Sequence, residues 1–228
     1  MARMRNAGEL DEPPIDRKRV TKRRAETRQR LLGAAFDVFA ADGFGRSTVE
    51  QICERAGYTR GAFYSNFDTL DDLFLAMWED RSAEMLAGVD SALDAGSDAD
   101  VRTVRDVVAR VLQAVPIDDN WYRISAEFTA HALRNPPLRH MVAARESAIV
   151  STLTPMVEAL LLRAGRTVPD PAALGQALVA VHDGTTVQCL IEPDNPAVHV
   201  RRIDLFTEVV LAYSSTSNAK AAPTEGMP

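Results

Sequence analysis

Residues 47–67, with the sequence STVEQICERAGYTRGAFYSNF, constrain the fold of this chain more than any other segment. Two short helices are predicted there, separated only by residues 56–58, and a short turn that contains glycine is how the two helices of a helix-turn-helix are joined. Ser47 is predicted to cap the first helix, and Glu50, three residues later, would complete a capping box. Gly57 can adopt the positive φ that ends this helix and turns the chain.

The second of these helices has the character of a surface that approaches another molecule closely. Thr59 is predicted to cap it, and it runs from Arg60 to about Ser65, with Phe63 turned inward. Its remaining side chains are small or polar, which suits the floor of the DNA major groove, where side chains meet base edges. An ordinary helical hairpin has the same pattern, so the pattern alone leaves both interpretations open.

Residues on both sides extend this pattern in register, from a preceding helix to the end of the second short helix: Leu31, Leu32, Ala35, Phe36, Phe39, Gly43, Phe44, Ser47, Thr48, Val49, Ile52, Ala56, Gly57, Tyr58, Thr59, Gly61, Ala62, Phe63, Tyr64, Asn66 and Phe67. Through these residues the segment from Thr27 to Phe74 resembles the DNA-binding domain of the TetR family of transcriptional regulators. One position departs from the family, which usually has a lysine at the start of its fourth helix. This chain has Leu70 there, followed by Asp71 and Asp72.

The spacing and the resemblance together imply which residues bind DNA. The residues nearest the bases would be Arg60, Gly61, Ala62 and Tyr64. The remaining predicted DNA-binding residues lie in the preceding basic segment, where the phosphates would be contacted, and at the ends of the two helices: Lys22, Arg23, Arg24, Arg28, Ser47, Thr48, Thr59, Ser65 and Asn66.

The distribution of charge along the chain agrees with DNA binding, although the net charge does not. The chain has 228 residues and a net charge of -6, which by itself argues weakly against binding to nucleic acid. Residues 31–228 carry the acidic excess, whereas between positions 17 and 30 Glu26 is the only acid. A short basic segment on an acidic body is typical of a chain that contacts phosphates at one end, and a solvated tail without a partner is the alternative. The basic residues of this segment are Arg17, Lys18, Arg19, Lys22, Arg23, Arg24, Arg28 and Arg30.

Helical periodicity continues to the C-terminal part of the chain, and no alternation at period two is long enough to predict a sheet. Thr69 and Asp72 are predicted to cap a fourth helix, and we expect a kink or a break at Pro155. We therefore predict an all-α fold, in which a three-helix DNA-binding domain with a helix-turn-helix precedes a helical domain for ligand binding and dimerisation. The predicted boundaries are 1–16 for a disordered tail, 17–68 for the basic arm and DNA-binding domain, 69–214 for the helical domain and 215–228 for a second disordered tail.

The helical domain is predicted to hold a small-molecule pocket, because polar and aromatic residues interrupt its apolar stripes. Taken singly, each of these residues is more often part of a core than a ligand contact, and the pocket prediction rests on the set as a whole: Trp78, Met85, Trp121, Tyr122, Phe128, His131, His182, Thr185 and Gln188.

A dimer is expected because helix-turn-helix proteins generally bind paired half-sites with two-fold symmetry. The resemblance implies that the last two helices form the interface, and the alternative is that they only complete the core of their own domain. The expected interface residues are Ala177, Val181, Gly184, Ile203, Phe206 and Val210.

The sequence thus predicts a homodimeric transcriptional regulator, and we expect a repressor that a small hydrophobic or aromatic effector releases from a palindromic DNA operator. The alternatives are a non-specific architectural DNA-binding protein and a helical enzyme, for which we find no catalytic motif. Cys53, Cys189 and the four scattered histidines have no metal-site spacing, so neither a metal nor a cofactor is expected. Without an apolar signal region or a long apolar run, the chain is expected to be cytoplasmic, with no membrane partner.

Overall fold

The computed structural model describes residues 17–94 and 103–217, with side chains described for residues 22–92 and 103–217. The predicted tail at residues 1–16, residues 95–102 and most of the second predicted tail, residues 218–228, lie outside this part of the chain. The described ranges contain nine α-helices: α1 (Arg17–Asp42), α2 (Val49–Ala56), α3 (Arg60–Tyr64), α4 (Leu70–Asp94), α5 (Val104–Ala114), α6 (Asp119–Ala132), α7 (Pro136–Arg163), α8 (Pro171–Ile191) and α9 (Pro196–Ala212). The all-α fold is confirmed.

The start of α2 is fixed by a capping box, one residue later than the sequence predicted. The Gln51 N–H donates to Thr48 Oγ1 at 3.2 Å, and the Thr48 N–H donates to Gln51 Oε1 at 2.8 Å. The predicted box of Ser47 and Glu50 is wrong, because Ser47 is buried and its hydroxyl donates to the carbonyl oxygen of Gly43 at 2.7 Å.

The other predicted helix boundaries of the helix-turn-helix are confirmed. Gly57 ends α2 with φ 71°, in the left-handed region that glycine favours. The Ala62 N–H donates to Thr59 Oγ1 at 3.2 Å, which caps α3. At the start of α4 the Asp72 N–H donates to Thr69 Oγ1 at 3.1 Å, while the Thr69 N–H donates to Asp72 Oδ2 at 3.0 Å.

Two helices are continuous through segments for which the sequence indicated an arm or an interruption. Helix α1 begins at Arg17, so the predicted basic arm is helical within the described residues. Helix α7 continues through Pro155 without the break that was considered. Buried residues anchor this helix on both sides of the proline, Val142 before it and Leu161 after it.

A short pair of strands contradicts the expectation that no sheet forms and that order ends at residue 214. Strand β1 (Arg166–Thr167) pairs antiparallel with β2 (Ser215–Thr216). Arg166 explains this pairing, because its guanidinium donates to Ser214 Oγ at 2.7 Å and to the Ser214 carbonyl oxygen at 2.6 Å. Two-residue strands are too short to produce an alternating pattern in the sequence.

The helices enclose two apolar cores. The first core lies between α1, α2, α3, the start of α4, α6 and the start of α7, and the predicted domain boundary after residue 68 falls within it. Phe74 of α4 stacks on Phe128 of α6 with ring centroids 3.8 Å apart, and Phe44 meets Phe128 edge-on at 5.1 Å. The second core lies between α5, α7, α8 and α9 and is built from Val104, Val108, Val157, Leu161, Leu174, Phe206 and Val210.

Helices α7 and α8 approach closely at Gly175. A Cβ atom there would lie 2.3 Å from Val150 Cγ1, so Gly175→Ala should lower the free energy of unfolding by about 1–3 kcal/mol despite its better helix propensity. Gly33→Ala is the matched control, because that helical glycine has nothing within 4 Å. We expect the control to stabilise the protein by roughly 1 kcal/mol. Equal effects of the two substitutions in urea unfolding would contradict this packing.

Candidate nucleic-acid interface and internal cavity

The outer face of α3 is accessible, as the sequence predicted. Phe63 is fully buried in the first core, whereas Tyr64 is 48% exposed. Arg60, Gly61 and Ser65 are exposed beside it. A five-residue helix therefore presents one short polar face to solvent and is held by a single deep anchor.

Arg60 is positioned by two neighbours on this face. Its Nη1 lies 2.8 Å from Glu50 Oε1, and its guanidinium carbon lies 5.8 Å from the centroid of the Tyr64 ring. Interactions with Tyr64, and then with the Glu50 carboxylate, raise the pKa of Arg60. The side chain is a permanent cation, and any base or phosphate that binds it must compete with Glu50.

Part of the predicted basic arm supports the helix-turn-helix from behind. Arg24 Nη2 donates to the Ser65 carbonyl oxygen at 3.0 Å and so holds the end of α3. Arg28 lies 3.7 Å from Asp80 and over the Phe67 ring, which fixes α1 against α4. The guanidinium of Arg28 is therefore already partnered within the protein, and phosphate would have to compete with Asp80 for it.

Two further predicted phosphate contacts are not available. Ser47 is buried, as described above. Asn66 turns inward and donates from Nδ2 to the Ala62 carbonyl oxygen at 2.8 Å. The predicted residues that remain accessible form what we call the reading surface: Lys22, Arg23, Thr48, Thr59, Arg60, Gly61, Ala62, Tyr64 and Ser65.

The acidic residues at the start of α4 have structural partners. Asp72 belongs to the capping box, and Asp71 Oδ1 lies 3.2 Å from Nε2 of His131 on α6. The His131 ring also packs against Phe44. His131 therefore joins α6 to the first core and does not face a pocket, contrary to the prediction.

A cavity of about 810 Å³ lies between α4, α5, α6, α7, α8 and α9. Five of the predicted pocket residues line it: Trp78, Met85, Trp121, Tyr122 and His182. The lining residues that the sequence did not assign to a pocket are mostly aliphatic, with a few charged groups, and include Arg81, Glu84, Val108, Leu112, Asp118, Glu146, Ile149, Leu153, Leu178, Asp183, Thr186 and Phe206.

The other predicted pocket residues do not line the cavity, and the reason is different for each of them. Phe128 is fully buried in the first core, because α6 turns this part of its apolar stripe toward α4. Thr185 is 5% exposed, and its hydroxyl donates to the Val181 carbonyl oxygen at 2.6 Å. Gln188 is exposed on the outside of α8.

A buried arginine fixes one wall of the cavity. Arg202 is 4% exposed, and its Nη1 donates to Thr185 Oγ1 at 2.8 Å and to Thr186 Oγ1 at 2.9 Å. Its Nη2 lies 3.1 Å from His182 Nδ1. Because an arginine only donates, His182 Nδ1 is the acceptor and Nε2 carries the proton of the neutral ring. Burial, and then the Arg202 charge, lower the pKa of His182 to about 4.

Arg81 lies where the cavity meets the first core. It forms an ion pair with Asp118, the N-cap residue of α6, and its guanidinium carbon is 5.0 Å from the centroid of the Trp121 ring. The same carbon lies 4.6 Å from the centroid of the Phe36 ring on α1. One side chain thus touches both a cavity wall and a helix of the DNA-binding domain.

The predicted dimer interface contains residues that face inward. Phe206 is 7% exposed and Val210 is 2% exposed, because both belong to the second core and line the cavity. Val181 and Ile203 pack against the same core. Ala177 is half-buried, and Gly184 alone of the predicted set is exposed. The interface residues were predicted from their apolar character, and the apolar residues of α8 and α9 that this criterion identifies lie mostly on the inner faces of these helices.

The described part of the chain contains no group of three His, Cys, Asp or Glu side chains that could hold a metal ion. Its two cysteines, Cys53 and Cys189, are buried and free. Within the same residues we find no helix with the length and apolar character needed to cross a bilayer.

The lowered pKa of His182 predicts a specific dependence of stability on pH. Between pH 6.5 and about 4 the unfolded chain binds a proton that the folded protein does not, so stability falls as the pH falls. The full loss would be up to about 3 kcal/mol. His182→Asn keeps an acceptor for Arg202, and it should flatten this slope in urea unfolding at several pH values.

The comparison with this variant is needed because Glu146 and Asp183 have raised pKa values, caused first by burial, and they act in the opposite direction. The stabilisation that Glu146 and Asp183 contribute is lost as the pH rises. It is the same in the parent protein and in His182→Asn, so it cancels in the comparison. Identical slopes for the parent and His182→Asn would contradict the assignment.

Both the helix-turn-helix segment and the helical segment that follows it match known protein families. Residues 31–77 match the family model described as bacterial regulatory proteins of the tetR family, and residues 100–208 match the model described as BetI-type transcriptional repressor, C-terminal. The first range holds the helix-turn-helix, and the second spans α5 to most of α9. Together the two models cover more than half of the chain.

Relatives and solved structures agree with these matches. Two regulators of Pseudomonas putida, SrpR and TtgW, are each 37% identical over 90 residues, which is 40% of this chain and 40% and 63% of the respective relatives. The chain thus matches less than two thirds of their length.

The fold agrees over a longer span. A TetR-family transcriptional regulator from Streptomyces coelicolor has a TM-score of 0.59 at 22% identity, covering 89% of this chain and 97% of that one. The proteins matched are transcriptional regulators rather than enzymes. The resemblance found in the sequence is confirmed, and the chain belongs to the TetR family of bacterial transcriptional regulators.

Proposed function

We propose that this chain binds a palindromic DNA operator as a homodimer, represses transcription there, and releases the operator when a small hydrophobic or aromatic molecule enters the cavity. The observation that carries this proposal is the position of α4, which runs from the helix-turn-helix into the wall of a ligand-sized cavity. The description of the C-terminal family model as a repressor supports the sign of regulation. Such a regulator would act in the cytoplasm, where its operator lies.

In this proposal the reading surface enters the major groove. Arg60 is the group with the reach and donors for a base edge, once DNA displaces Glu50 from it. Lys22 and Arg23 lie on α1, and Arg23 has no side-chain partner among the described residues, so its charge is available for phosphate.

The proposed dimer interface is the outer face of α8 and α9. Gly184 is exposed, and a Cβ atom added to it would have no other part of the chain within 4 Å, which leaves room for a partner helix. Large apolar residues are exposed on the same two helices, and they are Ile191, Val200, Leu205 and Leu211. Burying such residues against a second copy would remove apolar surface from water.

Release would follow from the contacts of Arg81. A molecule that displaces the Arg81 guanidinium from Trp121 also changes its contact with Phe36 on α1. The distance between the two reading surfaces of a dimer would then change. The molecule acts only to the extent that it binds the released conformation more tightly than the operator-bound one.

Two substitutions test the assignment of DNA contacts on an operator selected from random DNA with the purified chain. Arg60→Ala should weaken the selected site by about 1–3 kcal/mol per half-site and relax preference at one base position in each half-site, because it removes a base contact from each subunit. Arg23→Ala should weaken all sequences alike and, because a dimer loses one phosphate contact in each subunit, reduce the slope of log K against log salt by about 1.8.

Arg55→Ala is the matched control, because Arg55 is equally exposed on α2 but pairs with Asp37 away from the reading surface. It should change neither preference nor salt slope. An Arg60→Ala protein with the parent's preference at every base position would refute the base-reading role. A selection that yields no consensus would favour the architectural DNA-binding alternative.

A further inference from the structure

The walls of the cavity carry an excess of negative charge. Apart from Tyr122, six ionisable residues line it, namely Arg81, Glu84, Asp118, Glu146, His182 and Asp183. Arg81 and Asp118 pair with each other, and His182 is neutral near pH 7 because its pKa is about 4. Glu84, Glu146 and Asp183 have no hydrogen bond or ion pair to another described residue, so three solvent-exposed carboxylates border the cavity without a countercharge.

Two of these carboxylates act on one another. Glu146 lies on α7 and Asp183 on α8, two neighbouring helices that pack against each other near Gly175, and both carboxylates line the cavity and remain accessible to a molecule that enters it. Burial, and then the negative charge of Asp183, raise the pKa of Glu146, and burial raises the pKa of Asp183. Like charges in such a site oppose ionisation, and a cation between them would relieve the repulsion.

The cavity is suited to an organic cation rather than to a hydrated metal ion. Trp78 and Trp121 line it with their rings 6.3 Å apart and nearly perpendicular, and Tyr122 lies beside them. Aromatic faces attract desolvated ammonium groups. Aliphatic residues form most of the remaining lining, which favours an apolar body attached to the charge.

The buried guanidinium of Arg202 does not make this an anion site. Arg202 lies behind His182 and Thr186 and is not itself among the residues that line the cavity. Its donors are directed to Thr185, Thr186 and His182. An anionic ligand would therefore meet three carboxylates before any free cation.

We propose that the effector is an organic monocation whose charge lies between Glu146 and Asp183 and whose apolar body packs against Trp78 and Trp121. The regulatory role of this cation rests on the proposed function. The binding site itself is inferred from the residues that line the cavity.

Binding can be measured without DNA through the intrinsic fluorescence of the full-length protein. The chain has two tryptophans, and both line the cavity, so quenching reports on this site directly. The probes are phenyltrimethylammonium, its neutral isostere tert-butylbenzene, and benzoate. We expect the cation to bind at least about tenfold more tightly than the isostere, and benzoate more weakly than either.

The double variant Glu146→Gln with Asp183→Asn should lower the affinity for phenyltrimethylammonium by about tenfold or more and leave that for tert-butylbenzene unchanged. The matched control is Glu54→Gln with Asp90→Asn, which removes two exposed carboxylates outside the cavity lining and should alter neither affinity. Unfolding curves of all variants verify that the fold is retained.

The proposal is overturned if phenyltrimethylammonium does not quench at millimolar concentration, if the neutral isostere binds as tightly, or if the double variant binds the cation like the parent. These outcomes leave the regulator function intact, since another ligand could still release the operator. Conversely, tight cation binding with unchanged operator affinity would confirm the site and refute its role as the effector site.

Discussion

The stacking of Phe74 on Phe128, with ring centroids 3.8 Å apart, is the contact on which the rest of the structure depends. Phe74 belongs to the core of the helix-turn-helix domain, and its ring centroid lies 5.8 Å from that of Trp121, a wall of the cavity. One turn along α4, Trp78 lines the same cavity. Because protein interiors are close-packed, a molecule that moves either tryptophan disturbs Phe74.

Charged residues strengthen the connection between the cavity and the DNA-binding domain. They also give a structural role to the start of α4, where the chain lacks the lysine that is usual in the family. Arg81 links Asp118 and Trp121 at the cavity to Phe36 on α1. Asp71, which follows the position where a lysine was expected, contacts His131 on α6. The start of α4 in this protein therefore holds α6 in place, and the basic side chains available for phosphate lie on α1.

The helix-turn-helix could be predicted from the sequence because it is determined locally. Caps, the left-handed Gly57 and the inward Phe63 lie within a few residues of their partners. The cavity could be predicted only in part, because α6 divides one apolar stripe between two environments, with Trp121 at the cavity and Phe128 in the core.

Residues with distant partners were the ones missed. The role of Arg202 depends on hydroxyls 16 and 17 positions away, and apolar character could not distinguish the inner from the outer face of α9. The most direct test of the coupling measures the distance between spin labels at Ala41→Cys in the two subunits of the proposed dimer, since Cys53 and Cys189 are buried. The account predicts different distances with operator bound and with a cavity ligand that releases it. Release of the operator with an unchanged distance would contradict it.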